Sequence, residues 1–204
     1  MVISQPVPGN RDRILDAAER LLGRYGYRKM TVDDLASEAG IGKGTVYLSF
    51  RSKEDAVLAT VDRIVDAVCA EMTRIRMSRG AASSKLQRML LARVLVRFDR
   101  VADYRESLSD LLSDVRAGLL ERRRRHFERE TQILADAIRE GQRDGAFALG
   151  DADRLARSML LATNTFLPYS LSPRELGDRR RLQRDAEDVI RLLVSALTIN
   201  FRAL

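Results

Sequence analysis

The apolar residues of this chain recur every three or four positions along most of its length, which is the spacing of one face of an α-helix. No stretch of useful length alternates apolar with polar residues, as a half-buried β-strand would. Glycine, proline and clusters of small polar residues interrupt the helical spacing at intervals. The sequence therefore predicts an all-α fold of about nine helices without a sheet.

The most specific local pattern lies between Met30 and Lys53, MTVDDLASEAGIGKGTVYLSFRSK. Thr31 and Asp34 have the spacing of a helix-capping pair, and an apolar stripe follows them. Gly40 stands where a helix end favours a residue with positive φ. A second, very short helix follows from Lys43. Two short helices joined by a glycine turn are typical of the helix-turn-helix, whose second helix enters the DNA major groove.

The residues Thr-x-x-x-Leu-Ala-x-x-Ala-Gly-Ile-x-Lys-Gly-Thr-Val-Tyr-x-x-Phe-x-x-Lys-Glu, starting at Thr31, closely resemble the DNA-binding domain of the TetR (TetR/AcrR-like) family of bacterial regulators. The close resemblance covers about residues 11–60, and beyond them only the architecture is similar. It implies a three-helix helix-turn-helix head in residues 1–55. Residues 56–204 would form a larger helical domain for ligand binding and dimerisation.

The resemblance implies that the partner of the head is a double-stranded, pseudo-palindromic operator. Lys43 and Thr45 are expected to face the groove, Tyr47 is expected to reach a phosphate, and Val46 is expected to point inward to the three-helix core. Thr31 and Lys53 are expected to be further phosphate anchors at helix N-termini. The predicted DNA-binding residues are Thr31, Lys43, Gly44, Thr45, Tyr47 and Lys53.

By the same resemblance, the fifth to eighth helices would enclose a small-molecule effector. Thr163 and Asn164 interrupt an apolar segment, so they are the polar groups best placed to orient a ligand. The predicted effector is largely apolar and neutral or weakly polar. The run Arg122–Arg125, interleaved with acidic residues that include Glu130, is expected to be a solvated face. The predicted ligand-binding residues, each of which also suits plain core packing, are Met89, Phe98, Tyr104, Phe127, Thr163, Asn164 and Phe166.

TetR-like proteins are homodimers whose last two helices form a four-helix bundle with the partner. Here those helices would span about residues 151–167 and 179–201, and their apolar faces are wider than one core contact requires. A wide apolar face is typical of a partner interface, although simple burial would also explain it. The predicted interface residues are Leu160, Leu182, Val189, Ile190, Leu193 and Leu197.

Composition excludes several other classes of protein. The net charge is +7, but residues 1–56 contain nine basic and eight acidic residues and so carry only +1. A sequence-blind DNA binder is therefore disfavoured, because such binding depends on phosphate neutralisation. With only Cys69 and His126, neither an intrachain disulfide nor a Cys/His zinc site is expected. No metal, cofactor, catalytic pair, secretory signal or membrane span is predicted, and the expected location is the cytoplasm.

These observations predict a ligand-responsive DNA-binding transcriptional regulator. It would be a homodimeric repressor, released from its operator by a small apolar ligand, and not an enzyme. The alternative is an all-α small-molecule-binding protein or enzyme with a vestigial DNA-binding head. The intact Lys43, Gly44, Thr45 and Tyr47 disfavour that alternative.

Overall fold

The computed structural model describes residues 9–105, 108–171 and 175–198. Within these ranges the chain is helical without a strand, which confirms the predicted all-α class. The described residues form nine α-helices, together with short 3-10 helices. The α-helices are α1 (Asn10–Lys29), α2 (Val32–Ala39), α3 (Lys43–Ser49), α4 (Lys53–Arg76), α5 (Ala82–Val101), α6 (Leu108–Asp114), α7 (Arg116–Arg143), α8 (Ala152–Thr163) and α9 (Arg179–Thr198).

The boundaries of α2 follow the local chemistry of its ends. The Thr31 hydroxyl accepts a hydrogen bond from the Asp34 backbone N–H, and the Asp34 carboxylate accepts one from the Thr31 N–H, so the predicted capping box is confirmed. Gly40 ends the helix at φ 64°, as predicted, because glycine adopts the left-handed conformation without steric cost. α1 has a break at Gly26, where φ is 77°, and continues beyond it to Lys29.

α7 contains two glycines, Gly118 near its start and Gly141 near its end. A Cβ at Gly118 would overlap the Leu58 side chain, and one at Gly141 would overlap the Phe147 ring. These two glycines therefore permit close packing against the helix and do not terminate it.

The chain divides into two compact units, and the boundaries between them fall within α4, between α5 and α6, and within α7. The first unit comprises the described residues up to Arg63 together with Asp103–Leu119. Inside it, α1 packs against α2, α3 and α6. The Arg28 guanidinium at the end of α1 donates two hydrogen bonds to the Asp114 carboxylate of α6, at 2.9 and 3.2 Å. The first unit thus contains a segment, Asp103–Leu119, that lies outside the predicted domain of residues 1–55.

The second unit comprises Ile64–Ala102 and the described residues from Leu120 onwards. In it, α5 packs against α8 and α9, and α8 packs against α9. α8 is shorter than the predicted span of residues 151–167, because a 3-10 helix at Asn164–Phe166 replaces its last turn. The predicted end of the last helix, Phe201, lies outside the described residues. Among the helices described, none is long and apolar enough to cross a membrane.

Candidate DNA-recognition surface and effector site

One side chain of α3 is buried, and the exposed side chains of this helix include both polar and apolar ones. Val46 is buried, as predicted, and it fixes the rotation of this seven-residue helix. Tyr47 is then 51% exposed and Leu48 is 88% exposed. The other predicted DNA-binding residues of α3 also retain accessible surface: Lys43 and Gly44 are exposed, and Thr45 is half-buried. All four predicted DNA-binding residues of α3 therefore keep surface that a partner could contact.

Side chains of α1 hold α2 in place behind that surface. The Glu38 carboxylate accepts hydrogen bonds from Arg20 Nε at 2.6 Å and from Arg24 Nη1 at 3.1 Å. The hydrogen bond from Arg20 lowers the pKa of Glu38, so this carboxylate stays ionised and bonded. Arg13 Nη2 donates to the Gly40 carbonyl oxygen at 3.1 Å, in the turn between the two helices. Side chains of α1 thus hold both α2 and the turn that leads to α3.

Lys43 is exposed but already paired. Its Nζ lies 2.9 Å from Asp33 Oδ2, and this hydrogen bond raises the pKa of Lys43. Both side chains are exposed, and an ion pair in water is held only weakly. A DNA phosphate or base edge is therefore able to compete with Asp33 for the ammonium group.

The other two predicted phosphate anchors have partners within the chain. The Thr31 hydroxyl takes part in the capping box, which lowers the pKa of Asp34. Lys53 Nζ donates to the Tyr27 carbonyl oxygen at 3.0 Å and lies 4.2 Å from the centre of the Tyr27 ring. Lys53 thus links the start of α4 to the end of α1. A role in DNA binding for either residue stays a prediction.

A buried charged cluster, formed by Arg93, Arg97 and Glu130, lies in the second unit. Arg93 Nε donates to Glu130 Oε2 at 2.6 Å, and Arg97 donates to the other oxygen of the same carboxylate. Arg93 and Glu130 are buried, with Glu130 only 1% exposed. Burial alone would raise the pKa of Glu130, but the two guanidiniums hold it below its ordinary value. The carboxylate is therefore ionised inside the protein.

The remaining N–H groups of Arg93 bind the end of α8. Arg93 Nη2 donates to Asn164 Oδ1 at 2.7 Å, and Nη1 donates to the Thr163 hydroxyl at 3.1 Å. Nη1 also lies 3.4 Å from the Leu160 carbonyl oxygen. One guanidinium thus connects α5 with α7 and with the C-terminal end of α8, where a cation is electrostatically favoured.

This charged cluster was not predicted from the sequence. Glu130 was expected on a solvated face, and this expectation was wrong because the carboxylate points into the unit between two arginines. Thr163 and Asn164 were expected to offer free polar groups, but both are bonded to Arg93. The available signal was Arg93 itself, a single charge in the apolar segment MLLARVLV. A charge there requires a buried partner.

The other predicted ligand-binding residues occupy different environments. Met89 and Phe98 are buried in the second unit, and Phe127 and Phe166 are half-buried there. The Arg157 guanidinium lies 5.2 Å from the centre of the Phe127 ring. Tyr104 is also buried, but it belongs to the first unit. The structure therefore places six of the seven predicted residues in the second unit.

The predicted interface residues are mostly enclosed within the single chain. Leu160, Leu182, Ile190 and Leu197 are buried, so they belong to the core of the second unit, while Val189 and Leu193 are half-buried. Two exposed leucines on these helices were not among the predicted interface residues. Leu161 of α8 is 56% exposed and Leu192 of α9 is 71% exposed. Both have apolar neighbours in sequence, so periodicity alone did not distinguish them from core residues.

Comparison with known protein families gives two matches. Residues 14–60 match the family described as bacterial regulatory proteins of the tetR family. Residues 82–190 match the tetracyclin repressor-like C-terminal domain. The two matches together include the helix-turn-helix and the buried charged cluster.

Individual bacterial regulators are similar to this chain, and the length of the similar region differs between them. The fatty acid metabolism regulator protein of Bacillus subtilis (strain 168) is 26% identical over 190 residues, which cover 91% of this chain and 94% of that protein. The HTH-type transcriptional regulator YerO of the same strain is 27% identical over 104 residues, and the match covers 51% of this chain but only 35% of YerO. The solved structure of FadR from Bacillus subtilis in complex with stearoyl-CoA aligns with a TM-score of 0.65 at 20% identity, covering 93% of this chain and 99% of that one.

Proposed function

The chain belongs to the TetR family of bacterial transcriptional regulators, and on this premise we propose that it represses transcription from operator DNA in the cytoplasm until an effector releases it. The family consists of DNA-binding regulators, so the alternative of an enzyme with a vestigial head is not favoured. One observation carries the proposal: α3 is anchored by Val46 and keeps its opposite face accessible. In this proposal residues 1–55 bind DNA, and residues 56–204 bind the effector and a second copy of the chain.

Direct base readout would come from the exposed end of α3. Thr45 and Lys43 supply hydrogen-bonding groups of the kind that read base edges, and Tyr47 is placed to reach a phosphate. The exposed Leu48 cannot hydrogen-bond a base, but an apolar side chain can contact a thymine methyl group. This division of roles predicts an operator with at least one A·T pair under Leu48.

A homodimer would present two such helices to successive major grooves, about 34–36 Å apart on one face of a pseudo-palindromic operator. The exposed leucines Leu161 and Leu192 support an interface on α8 and α9, because two large apolar side chains otherwise remain in water. The half-buried Val189 and Leu193 extend this surface along α9.

The proposed effector is a small molecule with a large apolar part. The second unit contains the predicted apolar and aromatic residues Met89, Phe98, Phe127 and Phe166. The similar Bacillus subtilis proteins are named for fatty acid metabolism and for a stearoyl-CoA complex, which favours an alkyl chain. An effector acts only to the extent that it binds the released geometry more tightly than the DNA-bound one.

Operator selection followed by a gel shift tests the proposal. Random duplexes enriched by the purified chain should converge on a palindromic sequence, and affinity should fall as salt rises. Thr45→Ala should lose preference for the selected sequence, whereas Ser37→Ala, an exposed position on α2, should keep it. Enrichment without a consensus, or equal loss in both variants, would contradict sequence-specific binding through α3.

A further inference from the structure

The buried charged cluster of Arg93, Arg97 and Glu130 contains two positive charges and one negative charge, so its positive charge is not fully neutralised. Two guanidiniums share a single carboxylate, and among the described residues their ion pairs go to Glu130 alone. The adjacent Arg129 adds nothing to the balance, because it pairs with Asp66 at 2.8 Å. Keeping an uncompensated charge away from water is costly, so a surplus of this kind calls for a compensating anion.

Neutral groups compensate only part of the surplus. Arg93 faces the C-terminal end of α8, which carries the equivalent of about half a negative charge. Asn164 and Thr163 supply further oxygen acceptors to Arg93. Both contributions act on Arg93. Among the described residues, the guanidinium of Arg97 donates to one oxygen of the Glu130 carboxylate and, from Nη1 at 3.1 Å, to the Arg93 carbonyl oxygen.

Arg97 is also the member of the cluster that a ligand can reach. Its side chain keeps 11% of its surface accessible, whereas those of Arg93 and Glu130 keep 2% each. Phe98, the next residue on α5, is one of the apolar residues proposed for the effector site. An accessible guanidinium that is not fully neutralised thus lies in the same unit as the apolar side chains expected to hold an alkyl chain.

From this geometry we propose that the effector is a long-chain amphiphile whose anionic group, a carboxylate or a phosphate, binds the Arg97 guanidinium. Its charge would bring the cluster to two cations and two anions, and a planar guanidinium can bind either group with two parallel hydrogen bonds. This inference rests on the proposed function, and it replaces the expected neutral effector with an apolar molecule that has a charged end.

The test compares amphiphiles that share one alkyl chain and differ only in the head group. Dodecanoate, 1-dodecanol and dodecanoyl-CoA are titrated against the full chain below their micellar concentrations, with the melting temperature and operator release as readouts. Dodecanoate or dodecanoyl-CoA should release the operator at least tenfold more effectively than the alcohol. Activity of dodecanoate would assign the carboxylate, and activity of dodecanoyl-CoA alone would assign the phosphates.

Two variants locate the effect. Arg97→Gln leaves Glu130 paired with Arg93, so the protein should fold and bind the operator, but the advantage of the anionic probes should vanish. Arg124→Gln, on the exposed face of α7, should keep that advantage. The proposal is overturned if neither anionic probe releases the operator more effectively than the alcohol, if Arg97→Gln responds like the parent, or if no probe releases a bound operator. Failure to bind any operator would instead refute the proposed function.

Discussion

Replacement of Glu130 by alanine should be among the most destabilising single changes in the second unit. The carboxylate accepts hydrogen bonds from Arg93 and Arg97 and is shielded from water, so Glu130→Ala leaves two guanidiniums without their anion. Breaking a buried ion pair by removing one partner costs about 3–5 kcal/mol. Since whole domains are stable by about 5–15 kcal/mol, the variant should retain only part of the stability of the parent.

Urea unfolding at one fixed protomer concentration measures this loss, because the stability of a dimer depends on concentration. Glu128→Ala is the matched control on the same helix. Glu128 is exposed and lies 3.7 Å from Arg124, and such surface pairs contribute about 0–1 kcal/mol. If Glu130→Ala unfolds within about 1 kcal/mol of the Glu128→Ala control, the charged cluster does not stabilise the second unit and the reasoning fails.

The same carboxylate should make stability depend on pH in a defined direction. Its folded-state pKa is lower than in the unfolded chain, where glutamate titrates near about 4.3. The stabilisation is therefore complete above that pH and is lost as the pH falls through the folded-state pKa. The difference in unfolding free energy between the parent and Glu130→Gln should be constant at neutral pH and shrink in acid. A difference that grows in acid would mean that the pKa is raised.

Three further changes address the head and the proposed interface. Thr31→Ala removes the capping hydroxyl of α2 and should cost about 1 kcal/mol in urea unfolding; an unchanged midpoint would mean that the cap contributes nothing. Tyr47→Phe should weaken binding to all operator variants alike in competition gel shifts, and a loss confined to one base position would contradict a phosphate contact. Leu192→Glu should yield a folded monomer in sedimentation, because the exposed leucine is proposed to face a partner, whereas Ile190→Glu should unfold the chain. An intact Leu192→Glu dimer would move the interface elsewhere.

The sequence by itself determined the helix class and the construction of the DNA-binding head. Thr31 and Asp34 are three residues apart, and Gly40 follows directly after the helix that it ends, so these contacts form between near neighbours whatever the rest of the chain does. Val46 was predicted to point into the core of the head, and it is buried. Hydrogen bonds and periodicity within one helical turn are encoded in adjacent residues, and therefore they can be predicted from the sequence alone.

Only the tertiary structure decided which apolar side chains face the core and which charges pair inside it. Leu160 is buried and its neighbour Leu161 is exposed, although both are leucines on an apolar helix, because the packing of α8 against α5 and α9 sets the rotation of α8. Arg93 and Glu130 are separated by 37 positions in the sequence. The segment around Arg93 is apolar and predicts a core helix, whereas the charged segment around Glu130 predicts a solvated face. Their pairing depends on how α5 and α7 pack against each other, and the local sequence of either segment does not encode that packing.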